Sequence, residues 1–143
     1  MSSGLSTPDF LTIGHICLDL IPETPESRIG GSAYYAATAA ARLGYSVGVI
    51  TAAGPESEAL RGQPRTIVLS LDTDQSTTFE NVDTSSGRRQ ILRHLAPAIP
   101  PQMVPAEWAK AAVVHLAPVA GEVPASMFRL FPRSLVGLTP QGY

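Results

Sequence analysis

The sequence has 143 residues, with 12 acidic and 10 basic side chains and a formal net charge of −2. A hydrophobic fraction of 44% predicts a folded chain, and a single domain over residues 1–143 is the expected organisation. A near-neutral charge without a polybasic stretch argues against nucleic acid and anionic membrane surfaces as partners.

Cysteine content and the N-terminal segment point to the cytoplasm. Cys17 is the single cysteine, which excludes an internal disulfide and fits a reducing compartment. Because Cys17 lies in an apolar run, we expect a buried and unreactive thiol. Residues 1–8 are small and polar without a basic residue, unlike a signal peptide. No apolar run approaches the ~18 residues that a membrane span needs.

The first part of the chain predicts a strand, a helix and a second strand. Residues 10–21 form a nearly continuous apolar run, typical of a buried strand in a parallel sheet. Residues 22–28 are a polar break with two prolines, and at most an edge strand. Residues 32–43 predict an alanine-rich helix with Ser32 as its N-cap, and residues 47–53 predict the next buried strand. This order indicates a right-handed βαβ unit.

The rest of the chain predicts short elements separated by turns and prolines. Three segments have the pattern of antiparallel hairpins with one partly solvated face: residues 65–72, 77–83 and 88–93. We expect a helical turn at residues 56–60, a short helix at 105–109, a strand at 112–116, a helix at 123–131 and a last strand at 134–138. Trp108 is expected to anchor the short helix in the core. Together these elements predict an α/β fold, a mostly parallel sheet flanked by helices.

The sequence contains few candidates for chemistry. It has no phosphate-binding glycine loop, no zinc-protease motif and no nucleophile elbow. His15, His94 and His115 are not at metal-ligand spacing, so we expect no metal site. His15 and His115 lie in apolar segments, where a hydrogen-bonded core histidine is the expectation. We assign no catalytic residue.

One local constellation suggests a ligand site. Asp19 is expected near the end of the first strand, and the pair Gly30 and Gly31 precedes the alanine-rich helix. Ligands of parallel α/β sheets bind outside the carboxyl ends of the strands. An aspartate there can accept hydrogen bonds from two adjacent hydroxyls, and glycines let the backbone approach a ligand beside free helical N–H groups. The alternative is that Asp19 caps a turn and the glycines only form a tight corner.

Two segments, GHICLDLIPE and RIGGSAYYAATAAARLGYSVGVITAAGPE, resemble the N-terminal region of the PfkB, or ribokinase-like, carbohydrate kinases. The resemblance implies a ribokinase-like fold in which Asp19 binds substrate hydroxyls. A Gly-Gly helix signature is matched from Gly30 to Gly44, although Tyr35 replaces the usual asparagine. Aromatic residues in this helix resemble divergent members, inositol-type kinases included.

A later segment resembles the substrate-covering lid of the same family. The stretch TTFENVDTSSGRRQIL implies a small β lid over about residues 75–94, with an arginine that reaches the substrate. Arg89 is the first candidate for this role and Arg88 the second. The alternative for both is a solvated hairpin face. The site implied by the resemblance therefore comprises Asp19, Gly30, Gly31, Tyr35 and Arg89.

The resemblance implies ATP and Mg²⁺ as cofactors of a full-length parent kinase, and none for this chain. The family's Gly-Ala-Gly-Asp motif has no counterpart, because the sequence has no Gly-Asp pair and no acidic residue after Glu122. We therefore expect a truncated PfkB-like kinase whose catalytic and ATP-binding half is absent, with a sugar, nucleoside or cyclitol as its small-molecule ligand. The alternatives are a non-catalytic polyol-binding or association module and an unrelated flavodoxin-like domain. Homo-oligomers through the lid or an exposed sheet edge are a further expectation.

Overall fold

The computed structural model describes residues 4–142. Residues 1–3, on which the N-terminal expectation partly falls, and Tyr143 lie outside the described residues. The described part contains these strands: β1 (Phe10–Ile13), β2 (Cys17–Leu20), β3 (Ser27–Gly30), β4 (Val47–Ala52), β5 (Thr66–Leu71), β6 (Thr77–Thr84), β7 (Gly87–His94), β8 (Val113–Leu116) and β9 (Leu135–Leu138). Its α-helices are α1 (Ser32–Arg42) and α2 (Glu58–Arg61). Short 3₁₀ helices cover Pro55–Ser57, Pro101–Met103, Trp108–Lys110, Ala125–Leu130 and Pro140–Gly142.

The strands form two sheets. The main sheet has the order β5-β4-β1-β8-β9, and all of its neighbouring strands are parallel. The small sheet has the order β3-β2-β6-β7, with β2 and β6 parallel and the other pairs antiparallel. The predicted α/β architecture, a mostly parallel sheet with helices and a smaller set of β strands, is confirmed.

The apolar run over residues 10–21 is two strands, where the sequence predicted one. The backbone N–H of His15 donates to Glu122 Oε1 at 2.9 Å, and the N–H of Ile16 donates to Thr51 Oγ1 at 3.0 Å. Side chains therefore satisfy these two N–H groups where the chain leaves the main sheet. As a result β1 belongs to the main sheet and β2 to the small one.

The segment over residues 65–72 is also placed differently from the prediction. It forms β5, which pairs in parallel with β4 at one edge of the main sheet instead of joining a hairpin. The intervening 3₁₀ helix and α2 provide the crossover that parallel neighbours require. The other two predicted strands do pair as an antiparallel hairpin, β6–β7. The polar break after residue 21 includes the start of β3, an edge strand of the small sheet, as the prediction allowed.

Helix α1 packs on one face of the main sheet through a stripe of small residues. Its buried residues are Ala33, Ala37, Ala40 and Ala41. The sequence predicted Ser32 as the N-cap, but the N-cap is Gly31 and no side chain caps the helix. The predicted helix at 123–131 is a 3₁₀ helix instead. Alanine methyl groups allow a close approach of helix and sheet, which brings the start of α1 next to the small sheet.

Two hydrophobic clusters cover the two faces of the main sheet. Helices α1 and α2 lie on one face, where Val49, Leu60 and Val68 are buried. Three 3₁₀ helices lie on the other face, where Trp108 and Met127 are fully buried: Pro101–Met103, Trp108–Lys110 and Ala125–Leu130. Burial on both faces is typical of parallel sheets and explains the continuous apolar runs of β1, β4 and β8.

Candidate functional site

A cavity of about 530 Å³ opens between the small sheet, the N-terminal end of α1 and the carboxyl ends of β8 and β9. Its volume falls in the ordinary range for small-molecule sites. The lining residues are Cys17, Asp19, Gly31, Ser32, Tyr35, Phe79, Asn81, Arg88, Gln90, Val119 and Gln141. Most of these side chains are polar, so the cavity is suited to a hydrophilic ligand.

Strand alternation explains which residues of the small sheet line the cavity. Successive side chains of a strand point to opposite faces of the sheet. Asp19 lies opposite Phe79 on the neighbouring strand, and Asn81 lies opposite Gln90 across the hairpin. One face of the small sheet therefore presents Cys17, Asp19, Phe79, Asn81, Arg88 and Gln90 to the cavity.

Asp19 is the acidic residue of the cavity lining. The sequence predicted Asp19 near the end of the first strand of the main sheet, but it lies in β2 of the small sheet. Asp19 therefore faces the carboxyl ends of the main-sheet strands from the opposite wall of the cavity. Its carboxylate has no hydrogen-bond partner among the described residues. Burial raises its pKa, while the nearby Arg88 guanidinium acts in the opposite direction. A desolvated carboxylate without donors is prepared to accept hydrogen bonds from a ligand.

The glycine pair makes room at this wall. A Cβ atom at Gly30 would lie 2.3 Å from Asp19 Oδ2, so a side chain there would displace the carboxylate. Gly31 has a φ of 98°, and a Cβ there would lie 2.5 Å from the carbonyl oxygen of His15. Gly31 lines the cavity, whereas Gly30 acts behind it by leaving space for Asp19. The first N–H groups of α1 follow directly, beside the cavity.

The two candidate arginines lie on different faces of β7. Arg88 lies opposite Asp83 in the hairpin and lines the cavity, whereas Arg89 lies opposite Val82 and does not. Because adjacent strand residues face opposite ways, the geometry favours Arg88, the second candidate, over Arg89 for contact with a ligand in this cavity. Arg88 has no hydrogen-bond partner among the described residues.

Several cavity residues were not predicted from the sequence. Asn81 has a buried Oδ1 without a hydrogen-bond partner in the described part of the chain. Gln90 lies beside it on β7, and Gln141 reaches the cavity from the turn after β9. Alternation along β7 could have linked Gln90 to Arg88, but nothing in the sequence indicates which strand face covers the cavity.

Tyr35 lines the cavity from the first turn of α1. Its ring packs edge-on against Tyr34 with centroids 5.4 Å apart, and its side chain is 59% exposed. The hydroxyl donates a long hydrogen bond of 3.4 Å to the carbonyl oxygen of Ile29. This bond is weak, so the hydroxyl is available to a ligand as donor or acceptor.

A second polar group lies behind the cavity wall, where the two sheets meet. This junction cluster consists of His15, Thr77 and Glu122, all of them buried. His15 Nε2 donates to the carbonyl oxygen of Pro97 at 2.8 Å, which leaves Nδ1 to accept from Thr77 Oγ1 at 2.7 Å. Thr77 Oγ1 in turn accepts the N–H of Ala96 at 3.0 Å. His15 is thus the hydrogen-bonded core histidine that the sequence predicted, and burial lowers its pKa.

Glu122 ties the loop after β8 to the break between β1 and β2. Its carboxylate accepts backbone N–H groups from His15, Val119 and Ala120 at 2.8–2.9 Å. Since Val119 lines the cavity, this buried carboxylate fixes one cavity wall. Burial raises the pKa of the Cys17 thiol, and the negative charge of Glu122 raises this pKa further; the thiol is buried as expected.

Other kinds of site were sought among the described residues: a second cavity, a metal site and a membrane-spanning helix. A second cavity of about 590 Å³ lies at the carboxyl ends of β4 and β5, lined by residues that include Gly54, Asp72 and Asp74. No group of three potential metal ligands occurs in residues 4–142. Within the same residues, no helix combines the length and the apolar character needed to span a membrane.

Solved structures identify the fold. The chain superposes on a pyrophosphate-dependent kinase of the ribokinase family, complexed with a pyrophosphate analog and myo-inositol, with a TM-score of 0.74 over 94% of its residues. The chain has the ribokinase fold. Fructokinase from Halothermothrix orenii matches 91% of the chain with a TM-score of 0.69. Ribokinase from Arabidopsis thaliana, complexed with ribose and ATP, matches 96% with a TM-score of 0.59.

These likenesses are structural, because sequence identities are 20%, 16% and 16%, respectively. The chain spans about half the length of these structures, since it covers 50%, 56% and 55% of them. No protein-family model and no curated protein matches the sequence. The ribokinase fold predicted from the Gly-Gly helix and the strand ending in Asp19 is thereby confirmed.

The cavity of this ribokinase fold combines a hydrogen-bond acceptor, a hydrogen-bond donor and amide groups that can both donate and accept. Asp19 accepts, Arg88 donates, and the amides of Asn81, Gln90 and Gln141 can do either. A ligand with several hydroxyls could satisfy all of these groups at once, since each hydroxyl both donates and accepts. Phe79 and Val119 provide a small apolar surface for the carbon skeleton of such a ligand.

Proposed function

We propose that these 143 residues bind a polyol, a sugar or cyclitol, in the cavity between the two sheets, as the substrate-binding part of a ribokinase-type kinase. Asp19 accepts hydrogen bonds from adjacent ligand hydroxyls, and Arg88 donates from the opposite wall. Tyr35 limits the entrance, while Gly30 and Gly31 leave room for Asp19 and the ligand.

One observation carries this proposal: three polar side chains on one face of the small sheet lack partners. We call Asp19, Asn81 and Arg88 the cavity cluster. None of them has a hydrogen-bond partner among residues 4–142, although Asn81 Oδ1 is fully buried and burial raises the pKa of Asp19. Buried polar groups are normally paired, so the unpaired Asn81 Oδ1 beside the partly buried Asp19 favours a polar ligand, and the exposed Arg88 is free to reach it.

Similar structures favour the same class of ligand. One of them is complexed with myo-inositol and another with ribose. The opposite charges of Asp19 and Arg88 leave the cavity cluster without net charge, which suits a neutral polyol better than an ion. We therefore include myo-inositol, D-ribose and D-fructose among the first compounds to test.

Phosphoryl transfer is proposed only for a protein that also supplies a donor site. Transfer requires a base for the attacking hydroxyl and charge stabilisation for the moving phosphoryl group. The sequence has no Gly-Asp pair, and the cavity lining contributes Asp19 as its acidic residue. ATP with Mg²⁺ remains the proposed donor of such a protein, with pyrophosphate as the alternative because one similar kinase is complexed with a pyrophosphate analog.

The experiment is a calorimetric titration of the 143-residue chain with each polyol. We expect saturable binding of at least one compound, with a rise in unfolding free energy of about 2.7 kcal/mol at a ligand concentration of 100 times Kd. The chain alone should not consume ATP or pyrophosphate in the presence of any polyol. Turnover by the chain alone would contradict the assignment of this chain to binding only.

Adjacent arginines provide a matched pair of variants. Arg88→Gln should weaken polyol binding at least about tenfold, because a charge-assisted donor is lost from the cavity. Arg89→Gln removes the same charge from the opposite face of β7 and should leave Kd unchanged. Equal effects of the two substitutions would show a general electrostatic contribution and would refute direct contact by Arg88.

The alternative is a module that acts through association and binds no polyol. It has one observation in its favour, the uncovered edge of the main sheet at β9, where Leu135 is 73% exposed. Absence of saturable binding for the whole polyol panel, together with self-association, would favour this alternative.

A further inference from the structure

Tyr35 carries an exposed aromatic ring in a cavity whose walls are mostly polar. Among residues 4–142, the aromatic side chains that line this cavity are those of Tyr35 and Phe79. Phe79 is buried, whereas Tyr35 is 59% exposed, so the edge-on contact with Tyr34 covers only part of its ring. Apolar surface gains free energy when it leaves water, so this ring favours a ligand that has an apolar face of its own.

Two contacts locate the Tyr35 ring beside the Asp19 carboxylate. The N–H of Tyr35 donates to the carbonyl oxygen of Gly31 at 3.3 Å, and its hydroxyl lies 3.4 Å from the carbonyl oxygen of Ile29. The side chain therefore runs alongside the segment 29–31. Gly30 in this segment adjoins Asp19, since a Cβ there would lie 2.3 Å from Asp19 Oδ2. Both contacts of Tyr35 lie within residues 29–35, so they do not depend on sequence beyond residue 143.

The glycine pair keeps the space between the ring and the carboxylate open. Because residues 30 and 31 are both glycines, neither places a side chain between Tyr35 and Asp19. A ligand that donates hydrogen bonds to Asp19 would thus lie within reach of the Tyr35 ring. Such a ligand needs hydroxyls on one side and C–H groups on another.

Six-membered cyclic polyols have both kinds of surface. An equatorial hydroxyl points outward from the edge of the ring, whereas an axial hydroxyl stands on one of its faces. A ring with equatorial hydroxyls therefore has polar groups around its edge and C–H groups on its faces. The edge can bind Asp19 and Arg88 while one C–H face covers the ring of Tyr35.

We propose that Tyr35 is a specificity-determining residue whose ring stacks on a C–H face of a six-membered cyclic polyol, and that it selects ligands without an axial hydroxyl on that face. This inference rests on the proposed binding of polyols in the same cavity. An axial hydroxyl on the stacked face would hold the ligand away from Tyr35 and would lose its hydrogen bonds to water without gaining a partner. A ligand with one face free of axial hydroxyls still binds, whereas a ligand obstructed on both faces does not fit.

The alternative is that Tyr35 acts only through its hydroxyl, which has one weak hydrogen bond, to Ile29. Two substitutions separate the roles. Tyr35→Phe keeps the ring and removes the hydroxyl, whereas Tyr35→Asn keeps a polar side chain and removes the ring. Stacking therefore predicts that ligand selection survives the first substitution and is lost in the second.

The first test compares inositols that have the same hydroxyls and differ in how many are axial. scyllo-Inositol has no axial hydroxyl, myo-inositol has one, and D-chiro-inositol has one on each face. In calorimetric titrations of the 143-residue chain we expect the dissociation constant of D-chiro-inositol to be at least about tenfold higher than that of myo-inositol. scyllo-Inositol should also bind more tightly than D-chiro-inositol. Equal affinity for myo-inositol and D-chiro-inositol overturns the proposal.

Variants assign this preference to Tyr35. The ratio of the two dissociation constants should decrease at least about fivefold in Tyr35→Asn and should persist in Tyr35→Phe, even if the lost hydroxyl weakens the binding of both ligands. Tyr45→Asn is the matched control and should leave the ratio unchanged, because Tyr45 is also exposed but does not line the cavity. An unchanged ratio in Tyr35→Asn, or a ratio that is lost in Tyr35→Phe, overturns the role of the ring.

The second test detects stacking directly by proton NMR of myo-inositol. Protons above the face of an aromatic ring resonate upfield, so the axial C–H protons of the bound ligand should move upfield in the unchanged chain and in Tyr35→Phe, and less in Tyr35→Asn. Equal shifts in all three proteins overturn stacking on Tyr35. Binding of D-ribose or D-fructose without binding of any inositol overturns this inference and leaves the proposed polyol site intact. Absence of binding for every polyol overturns both.

Discussion

The junction cluster and the cavity cluster are both polar groups beside the small sheet, but they differ in how they are satisfied. In the junction cluster, both ring nitrogens of His15, the hydroxyl of Thr77 and both oxygens of Glu122 have partners. The cavity cluster has no hydrogen-bond partner within residues 4–142. Polarity alone therefore does not identify the candidate site.

The difference separates a structural role from a binding role. A paired buried group stabilises the fold, and its loss leaves other groups unsatisfied. An unpaired group costs free energy in the empty protein and can recover it when a ligand binds. Substitutions in the junction cluster should therefore reduce stability, whereas substitutions in the cavity cluster should reduce binding.

Glu122→Ala should have the largest effect on stability. It removes the acceptor for three backbone N–H groups, two of them buried and one partly buried, so we expect the free energy of unfolding to fall by about 3–5 kcal/mol. Urea denaturation followed by circular dichroism measures this loss. Glu58→Ala, at an exposed residue of α2, is the control and should change stability by less than about 0.5 kcal/mol. A loss below about 1 kcal/mol for Glu122→Ala would contradict the structural role.

Thr77→Val should have the next largest effect. The substitution keeps the shape of the side chain but leaves His15 Nδ1 without its donor and the Ala96 N–H without its acceptor. We expect a loss of about 2 kcal/mol in urea denaturation. The same change at the exposed Thr84 should have a much smaller effect. If the two variants were equally stable, the hydrogen bonds of the junction cluster would not contribute as described.

Asn81→Leu should show the opposite behaviour. Its Oδ1 has no partner to lose, so the free energy of unfolding should stay within about 1 kcal/mol of the original or increase. Polyol binding should weaken at least about tenfold, because the ligand loses an amide partner. Calorimetric titration and urea denaturation of the same sample check both expectations. Unchanged affinity would remove Asn81 from the cavity cluster.

The smallest expected effect is the dependence of stability on pH at Asp19. Burial raises its pKa in the folded chain, so the folded state binds more protons than the unfolded state between the two pKa values. The contribution of Asp19 to stability should therefore decrease as the pH rises through this window, although the Arg88 guanidinium reduces the effect.

Asp19→Asn is the variant that isolates this contribution. Urea denaturation at several acidic pH values should show a smaller decrease for Asp19→Asn than for the unchanged chain. A larger decrease would mean that the Asp19 carboxylate is stabilised in the folded protein, which would contradict its lack of donors.

The sequence predicted most elements of the fold because their signals are local. Alanine spacing predicted α1, and the apolar run at residues 112–116 predicted β8. The break at His15 was missed because it depends on Glu122, a residue more than a hundred positions away. Likewise, residues 65–72 fit a hairpin strand by pattern, and only the tertiary arrangement makes them parallel to β4.

The candidate site was predictable where motif residues fix the backbone, and less so on the small sheet. The sequence predicts Asp19, Gly31 and Tyr35 as site residues, and all three line the cavity. Arg88 and Arg89 are indistinguishable by residue type, so the choice between them requires the face of β7 that the register defines. Gln141 comes from the distant turn after β9, which no local pattern connects to this site.

The most direct test of polyol binding at the cavity cluster is a ¹H–¹⁵N NMR titration of the 143-residue chain with myo-inositol, D-ribose and D-fructose. For at least one of these polyols we expect saturable shifts at Gly31, at the side-chain amide of Asn81 and at Gln90, and no such shifts in Asp19→Asn. Saturable shifts confined to Gly54, Asp72 and Asp74 around the second cavity, or none with any of the three, would contradict the account.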